Sequence, residues 1–188
     1  LLSGTTTNFG NKVYNNNIGI YLDFGSGGNV TNNFVYNNSV AGIQVYAAGY
    51  YGSTPTISNN TIIQNSGNAI HVFDSRATNV RIENNIIQTN GGIAINVEAD
   101  SSTGFQSDYN VINVTDTGKI GRWQNQDFTN PADWYYEVGL DQHSTFADPQ
   151  FINLAGSDGV LGFIDSVGTG LTVNYYGTED FTDLRLTK

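Results

Sequence analysis

The chain has 188 residues, with 17 acidic and 7 basic side chains and a formal net charge of −10. Lysine and arginine are too sparse to follow a phosphate backbone, so nucleic-acid binding is not expected. The chain contains no cysteine, which excludes disulfides, thiolate metal sites and a cysteine nucleophile. It also has no apolar run of membrane-spanning length, so direct membrane insertion is not expected.

A repeated asparagine pair, each copy followed by a short apolar run, dominates the first half of the chain. The copies are Gly10-Asn11, Asn32-Asn33, Asn59-Asn60, Asn84-Asn85 and a degenerate Ser107-Asp108. They recur at intervals of 22 to 27 residues. A period of this length, with short β-type runs and no helical pattern, predicts a repeat fold. We expect the asparagines to occupy tight turns and to bond to one another as a ladder.

Two further sets of runs come into register when the repeats are aligned on the asparagine pairs. Short strands are predicted at residues 29–31, 56–58 and 80–82. Runs in which apolar and variable residues alternate lie at residues 19–23, 42–46, 69–73 and 94–98. Alternation predicts half-buried strands. Their inward residues are expected to stack in two rows, Ile20, Ile43, Ile70 and Ile95, and Leu22, Val45, Val72 and Val97, with the intervening residues in solvent.

Three short strands in each repeat predict an all-β fold, a right-handed parallel β-helix or solenoid. Residues 1–113 are expected to form its rungs. Residues 114–188, where the period is lost, are expected to form an irregular C-terminal cap of the same domain, because a terminal rung exposes an unpaired strand edge. The chain contains no methionine, and we expect it to belong to a longer protein with further domains.

Two features of the sequence carry a family resemblance. One is the repeated rung over residues 8–113, and the other is the order of the closing motifs at residues 107–111, 123, 133–134, 139–144, 147–151 and 180–186. In both, the chain resembles the bacterial right-handed parallel β-helix proteins of the pectate-lyase-like superfamily. The resemblance implies a secreted or cell-surface protein. It leaves function open, because the same rungs serve lyases, glycoside hydrolases, tail spikes and adhesins.

The outward positions of the alternating strands are expected to form a carbohydrate-binding face. They make two columns, which are Tyr21, Gln44, His71 and Asn96, and Asp23, Tyr46, Phe73 and Glu98. Aromatic rings beside hydrogen-bonding groups suit a sugar chain. The candidate substrate-binding residues are therefore Tyr21, Gln44, Tyr46, Phe73 and Asn96, and the expected partner is a polysaccharide or cell-surface glycan. The alternative is that these columns only stack on themselves.

Four residues are candidates for catalysis, if the protein is an enzyme. Asp74 and Glu98, one or two rungs apart, suit glycoside hydrolysis. Arg76 and His71 suit β-elimination in a polysaccharide lyase, with His71 as a proton shuttle. That mechanism departs from the lyase pattern, because no lysine lies on the four aligned strands. The alternatives are that the acids cap backbone amides in turns or bind calcium, that Arg76 pairs with a surface acid, and that His71 is merely packed.

The competing function is a structural or adhesive spacer without an active site. An enzyme predicts a cleft bordered by loops and by acidic groups with perturbed pKa values, whereas a spacer predicts a flat and uniform face.

Asp141 and Asp148 lie in the closing segment of the chain. Carboxylate and carbonyl oxygens in such a loop predict a calcium site, so Ca²⁺ is the expected cofactor. The alternative is that both carboxylates bond to the local backbone and fix the loop.

Overall fold

The structure is a computed structural model, which describes residues 7–24, 27–49, 51–155, 161, 174–176 and 184–187. The chain divides into two compact units, Leu1–Pro149 and Gln150–Lys188. Within the described residues, the first unit is a parallel β-solenoid of five rungs. This architecture confirms the predicted fold class.

Each rung contains three short strands. The first two rungs comprise β1 (Thr7–Phe9), β2 (Lys12–Tyr14), β3 (Ile18–Leu22), β4 (Asn29–Thr31), β5 (Phe34–Tyr36) and β6 (Ala41–Tyr46). The third and fourth comprise β7 (Thr56–Ser58), β8 (Thr61–Gln64), β9 (Asn68–Phe73), β10 (Arg81–Glu83), β11 (Ile86–Thr89) and β12 (Ile93–Val97). The fifth comprises β13 (Gln106–Asp108), β14 (Val111–Val114) and β15 (Lys119–Trp123).

The rungs stack so that equivalent strands pair in parallel and form three sheets. The first sheet contains β1, β4, β7, β10 and β13, the second contains β2, β5, β8, β11 and β14, and the third contains β3, β6, β9, β12 and β15. In the third sheet Ile20, Ile43, Ile70 and Ile95 are in register and buried. The neighbouring row of Leu22, Val45, Val72 and Val97 is fully buried, which confirms both inward rows.

The second asparagine of each pair forms a buried ladder through the solenoid. Asn60, for example, donates from its side-chain amide to Asn85 Oδ1 at 3.0 Å and to the carbonyls of Val30 and Ser58. Its own Oδ1 accepts the backbone and side-chain N–H groups of Asn33. Because each amide satisfies groups of its own turn and of both neighbouring rungs, the ladder fixes the register of the stack.

The first residue of each pair has a different role, because it adopts a left-handed backbone conformation. The φ angles are 68° at Gly10, 55° at Asn32, 56° at Asn59, 58° at Asn84 and 59° at Tyr109. Glycine and asparagine tolerate this conformation, whereas other residues are strained in it.

The fifth copy of the repeat lies two residues further along the chain than the sequence pattern suggested. Asn85 bonds to Asn110 Oδ1, so Tyr109-Asn110 is the fifth pair and Ser107-Asp108 belongs to the preceding strand, β13. The predicted strand at residues 80–82 is likewise displaced by one residue, to β10. The first error arose because Tyr109 replaces the first asparagine of the pair, and the second because Val80 adds an apolar residue ahead of Ile82, which is the residue in register with Ile57.

The C-terminal end of the solenoid is covered by the segment that follows β15. β16 (Gln126–Phe128) pairs antiparallel with β15, and α1 (Pro131–Asp133) leads into a π-helical turn, Trp134–Val138. Trp134 is fully buried against Ile120 and Phe128. A further short 3-10 turn, Ala99–Ser101, follows β12.

The regular rungs extend beyond residue 113, where we expected them to end. Residue 113 lies inside β14, and β15 completes the fifth rung. In the second unit, the structure describes an antiparallel hairpin of β17 (Asn174–Tyr176) and β18 (Leu184–Thr187). The remaining residues expected to form strands there lie outside the described residues, and the assignment of residues 114–188 to one cap stays a prediction.

Among the described residues, none of the helices is long and apolar enough to cross a membrane.

Candidate functional site

The outer face of the third sheet carries a row of aromatic side chains, which we name the aromatic stripe: Tyr21, Tyr46, His71 and Phe73. The ring centroids of Tyr21 and Tyr46 are 6.3 Å apart, those of Tyr46 and Phe73 are 5.0 Å apart, and those of Phe73 and His71 are 4.9 Å apart. Tyr46 and Phe73 come this close because parallel strands bring equivalent side chains together, whereas the Tyr21–Tyr46 and His71–Phe73 contacts join the two columns. The predicted columns therefore form one continuous surface.

Two members of the predicted binding columns are buried and do not face solvent. Gln44 is 8% exposed and Asn96 is 5% exposed. Gln44 is in register between Tyr21 and His71, and Asn96 between His71 and Arg122. Because rungs are separated by only ~4.8 Å, the larger side chains on either side cover the amides.

Gln44 supports the stripe from within, whereas Asn96 bonds to a residue outside it. Gln44 Nε2 lies 3.4 Å from His71 Nδ1, and His71 Nε2 lies 3.0 Å from Glu98 Oε1. The two contacts fit a ring that accepts from Gln44 at Nδ1 and donates to Glu98 at Nε2. Asn96 donates to Asn68 Oδ1. The imidazole is thus held at both nitrogens, with Glu98 at the exposed end.

A second cluster borders the stripe at the end of β9. Arg76 binds both carboxylate oxygens of Asp74, with Nε to Oδ1 at 2.6 Å and Nη2 to Oδ2 at 2.8 Å. It also donates to the Tyr46 hydroxyl and lies 4.8 Å from the ring centroid of Phe24. The guanidinium is therefore fixed against two aromatic rings, in a cation–π arrangement.

The electrostatics of this cluster keep both partners charged. Hydrogen bonds from Arg76 lower the pKa of the Asp74 carboxyl below its usual value, and the same contact raises the pKa of Arg76. Burial, followed by the negative charges of Asp23 and Asp74, raises the pKa of the Tyr21 hydroxyl, which favours its protonated form.

The structure combines the four candidate catalytic residues in pairs that differ from the predicted ones. Asp74 was expected to act with Glu98, and Arg76 with His71. Instead, Asp74 pairs with Arg76, and His71 pairs with Glu98. A carboxylate held by two guanidinium N–H groups is poorly suited to donate a proton, and a strongly protonated Arg76 is poorly suited to accept one. The catalytic roles stay predictions.

One residue that the sequence reasoning missed continues the first column into the fifth rung. Arg122 is in register with Asn96, and Lys119 lies on the same strand, beyond the four strands that the pattern had aligned. Both cations pair with Asp127. Hydrogen bonds from Arg122 and Lys119 lower the pKa of Asp127 to about 2. The spacing from Asn96, within the repeat interval, was the signal that could have located Arg122.

Asp141 occupies a different role from the calcium ligand that the sequence suggested. It is 2% exposed and accepts hydrogen bonds from the hydroxyls of Ser107 and Ser144, the amide of Asn110 and the indole N–H of Trp134. Four donors satisfy both carboxylate oxygens. Asp141 therefore ends the asparagine ladder. Its Oδ1 accepts from the Asn110 amide the hydrogen bond that an asparagine of the next rung would otherwise accept.

These contacts do not fit a calcium site at Asp141, whose oxygens already serve neutral donors. The second expected ligand, Asp148, is exposed. Within the described residues, no group of three or more histidine, cysteine, aspartate or glutamate side chains is placed to hold a metal. Calcium binding elsewhere in the chain stays a prediction.

The comparisons with known proteins agree with the architecture. The sequence matches the family described as "Right handed beta helix region" over residues 5–115, more than half of the chain. The chain belongs to the right-handed β-helix family. No curated protein and no solved structure shows significant similarity to the chain. Membership establishes the fold of this β-helix and leaves its ligand open.

Proposed function

We propose that this β-helix binds a polysaccharide or cell-surface glycan along its aromatic stripe, as a secreted or surface-exposed domain of a larger protein. One observation carries the proposal, namely that Tyr46 is partly exposed and its ring lies between those of Tyr21 and Phe73 while its hydroxyl accepts from Arg76. Sugar binding needs an apolar ring face next to hydrogen-bonding groups of fixed position.

The polar groups along the stripe are held in place before any ligand arrives. Arg76 is fixed by Asp74, and the His71 ring is fixed by Gln44 and Glu98. Such preorganisation reduces the entropy lost when a ligand binds. The cations beside the stripe, Arg76 and Arg122, are already paired with carboxylates. This pairing favours neutral sugars over uronates as ligands.

The test is a glycan array on the purified chain, with and without calcium, followed by calorimetry on any ligand found. We expect a neutral glycan to bind the wild type. The double variant Tyr46→Ala/Phe73→Ala should weaken that binding by roughly 100-fold, because two stacking platforms are lost. The calcium arm tests separately whether a metal contributes.

The matched control is Tyr136→Ala, which removes an aromatic ring that is 80% exposed and lies outside the stripe. It should bind like the wild type, and all variants should be compared at equal folded fraction. If no glycan binds under either condition, the proposal fails and the spacer or adhesin function, which needs no ligand on this face, becomes the better one.

A further inference from the structure

A polar groove lies on the first sheet, away from the strands that carry the aromatic stripe. It has a volume of about 440 Å³, and its walls include Arg81, Glu83, Gln106, Asp108, Tyr109 and Leu140. The outward side chains of β10 and β13 form its floor, and the closing segment after Val138 forms one side. A groove of this size can hold a small ligand.

A histidine next to this groove contacts two of its lining residues, Asp108 and Tyr109. His143 approaches Asp108 twice, with its backbone N–H 2.7 Å from Oδ1 and its ring Nδ1 2.7 Å from Oδ2. Burial raises the pKa of Asp108, but hydrogen bonds from His143 and Tyr109 lower it further, to a value below normal. An ionised carboxylate can only accept, so Nδ1 carries a proton, and in the singly protonated ring the lone pair is at Nε2.

The His143 ring is more than half exposed and lies flat against Tyr109. The two ring centroids are 5.0 Å apart and the planes differ by 8°. Among the described residues, no group forms a hydrogen bond with Nε2. The segment that carries His143 is anchored on both sides of the ring, because Asp141 accepts hydrogen bonds from Ser107, Asn110 and Trp134, and Thr145 pairs with the fifth rung.

Tyr109 is the one bulky residue at the left-handed position that begins each asparagine pair. The equivalent positions in the other rungs are Gly10, Asn32, Asn59 and Asn84, which suit a left-handed backbone. Tyrosine is strained there, and its ring is 57% exposed instead of contributing to the core. Strained residues that the surrounding structure holds in place are typical of binding and catalytic sites.

The charges in the groove define the kind of ligand it suits. Arg81 donates to Gln106 at 2.8 Å and lies 3.7 Å from Glu83. The floor therefore offers one cation, one amide whose oxygen accepts from that cation, and two carboxylates, of which Asp108 is already bonded to the His143 N–H groups. Because the carboxylates outnumber the cation, the groove disfavours an anionic ligand, and donors and acceptors next to an aromatic ring suit a neutral ligand with several hydroxyls.

We propose that this groove is a second binding site for one or two neutral sugar units, with Tyr109 as the stacking platform and His143 Nε2 as an acceptor for a sugar hydroxyl. The site is independent of the aromatic stripe, which lies on the third sheet. A glycan-binding protein with two separate sites can engage two chains, or two parts of one chain, at once.

The test is an NMR titration of the whole chain with three neutral probes: cellohexaose, xylohexaose and mannohexaose. We expect at least one probe to shift the His143 ring resonances and the Tyr109 ring resonances together. Tyr109→Asn should weaken this binding by roughly tenfold or more, without loss of stability, because asparagine is the repeat's own residue at that position. His143→Gln should weaken it as well, because the ring acceptor is lost.

The control variant is Tyr46→Ala/Phe73→Ala, in which the shifts at His143 and Tyr109 should persist with unchanged affinity. Persistence there would support the second site even if the stripe binds nothing. The proposal is overturned if none of the probes shifts these resonances, if Tyr109→Asn binds as tightly as the wild type, or if the shifts disappear in the stripe variant.

Discussion

At the scale of single residues, the asparagine pair performs two separate tasks. Its first member supplies a left-handed turn, and its second member supplies a side-chain amide that bonds along the stack. The ladder runs in one direction, since each amide donates to the oxygen of the following rung. Asp141 ends it with a carboxylate, which accepts where a further asparagine would have accepted. A buried aspartate is thus explained by the direction of the ladder.

Asn60→Ala should destabilise the fold by about 3 to 5 kcal/mol, because buried partners on three rungs lose their hydrogen bonds. The measurement is equilibrium unfolding in urea. Asn65→Ala is the matched control, since Asn65 belongs to an exposed ladder with Asn37 and Asn90. Water can replace its partners, so its loss should be below about 1 kcal/mol. Equal effects of the two substitutions would contradict a special role for the buried ladder.

At the scale of elements, β15 shows how the solenoid is closed. The inward row of isoleucines reaches Gly121 in this strand, where a larger side chain would have continued the pattern. A Cβ at Gly121 would lie 2.2 Å from Cζ3 of Trp134. The π-helical turn therefore supplies the side chain that β15 omits, and Trp134 is held there by Asp141.

Gly121→Ala should destabilise the protein by about 1 to 3 kcal/mol, because the buried indole cannot move away from the added methyl group. Trp134→Ala should cost about 3 to 5 kcal/mol through the cavity it creates. In the Trp134→Ala background, Gly121→Ala should be nearly neutral or stabilising. A double-mutant cycle by chemical unfolding measures this coupling, and additive effects would show that the two residues do not share the space.

At the scale of the whole molecule, the solenoid is a one-dimensional stack in which each rung is stabilised mainly by its neighbours. β7, β8 and β9 have paired strands on both sides, whereas the part of the chain that the structure describes pairs β1, β2 and β3 on one side only. The side chains of β1 are correspondingly more exposed than those of β7. Stability should therefore vary along the axis.

Native-state hydrogen exchange should reveal this gradient. The opening reactions that expose the amides of β8 and β9 should have the largest free energies. Those that expose the amides of β2 and β3 should have smaller ones, because the first rung can open without breaking a second interface. Mass spectrometry on proteolytic fragments gives the needed resolution. Equal protection along all the rungs would show instead that the stack opens as one cooperative unit.

The sequence was sufficient to predict the fold because the same residue pattern occurs in several successive repeats. Ile20, Ile43, Ile70 and Ile95 each carry a weak signal, and their common register makes a strong one. The columns of outward residues followed from the same register. The pattern weakens at Ser107-Asp108 and at β15. The fifth asparagine pair was therefore predicted two residues too early, and β15 was not aligned with the other strands, because propensity without repetition does not fix a register.

Only the tertiary structure decided what those side chains contact. Spacing along the chain places Gln44 on the outer face, but it does not show that the neighbouring rings bury it. Nor could it reveal that Asp74 binds Arg76, that Asp141 ends the ladder, or that His143 meets Asp108 from a segment 35 residues away. The sequence by itself determined the solenoid, because the periodic spacing of apolar residues along the chain specifies which side chains of each rung are buried. The pairing of charges and the shape of the grooves depend on side-chain packing between segments, which local pattern does not specify.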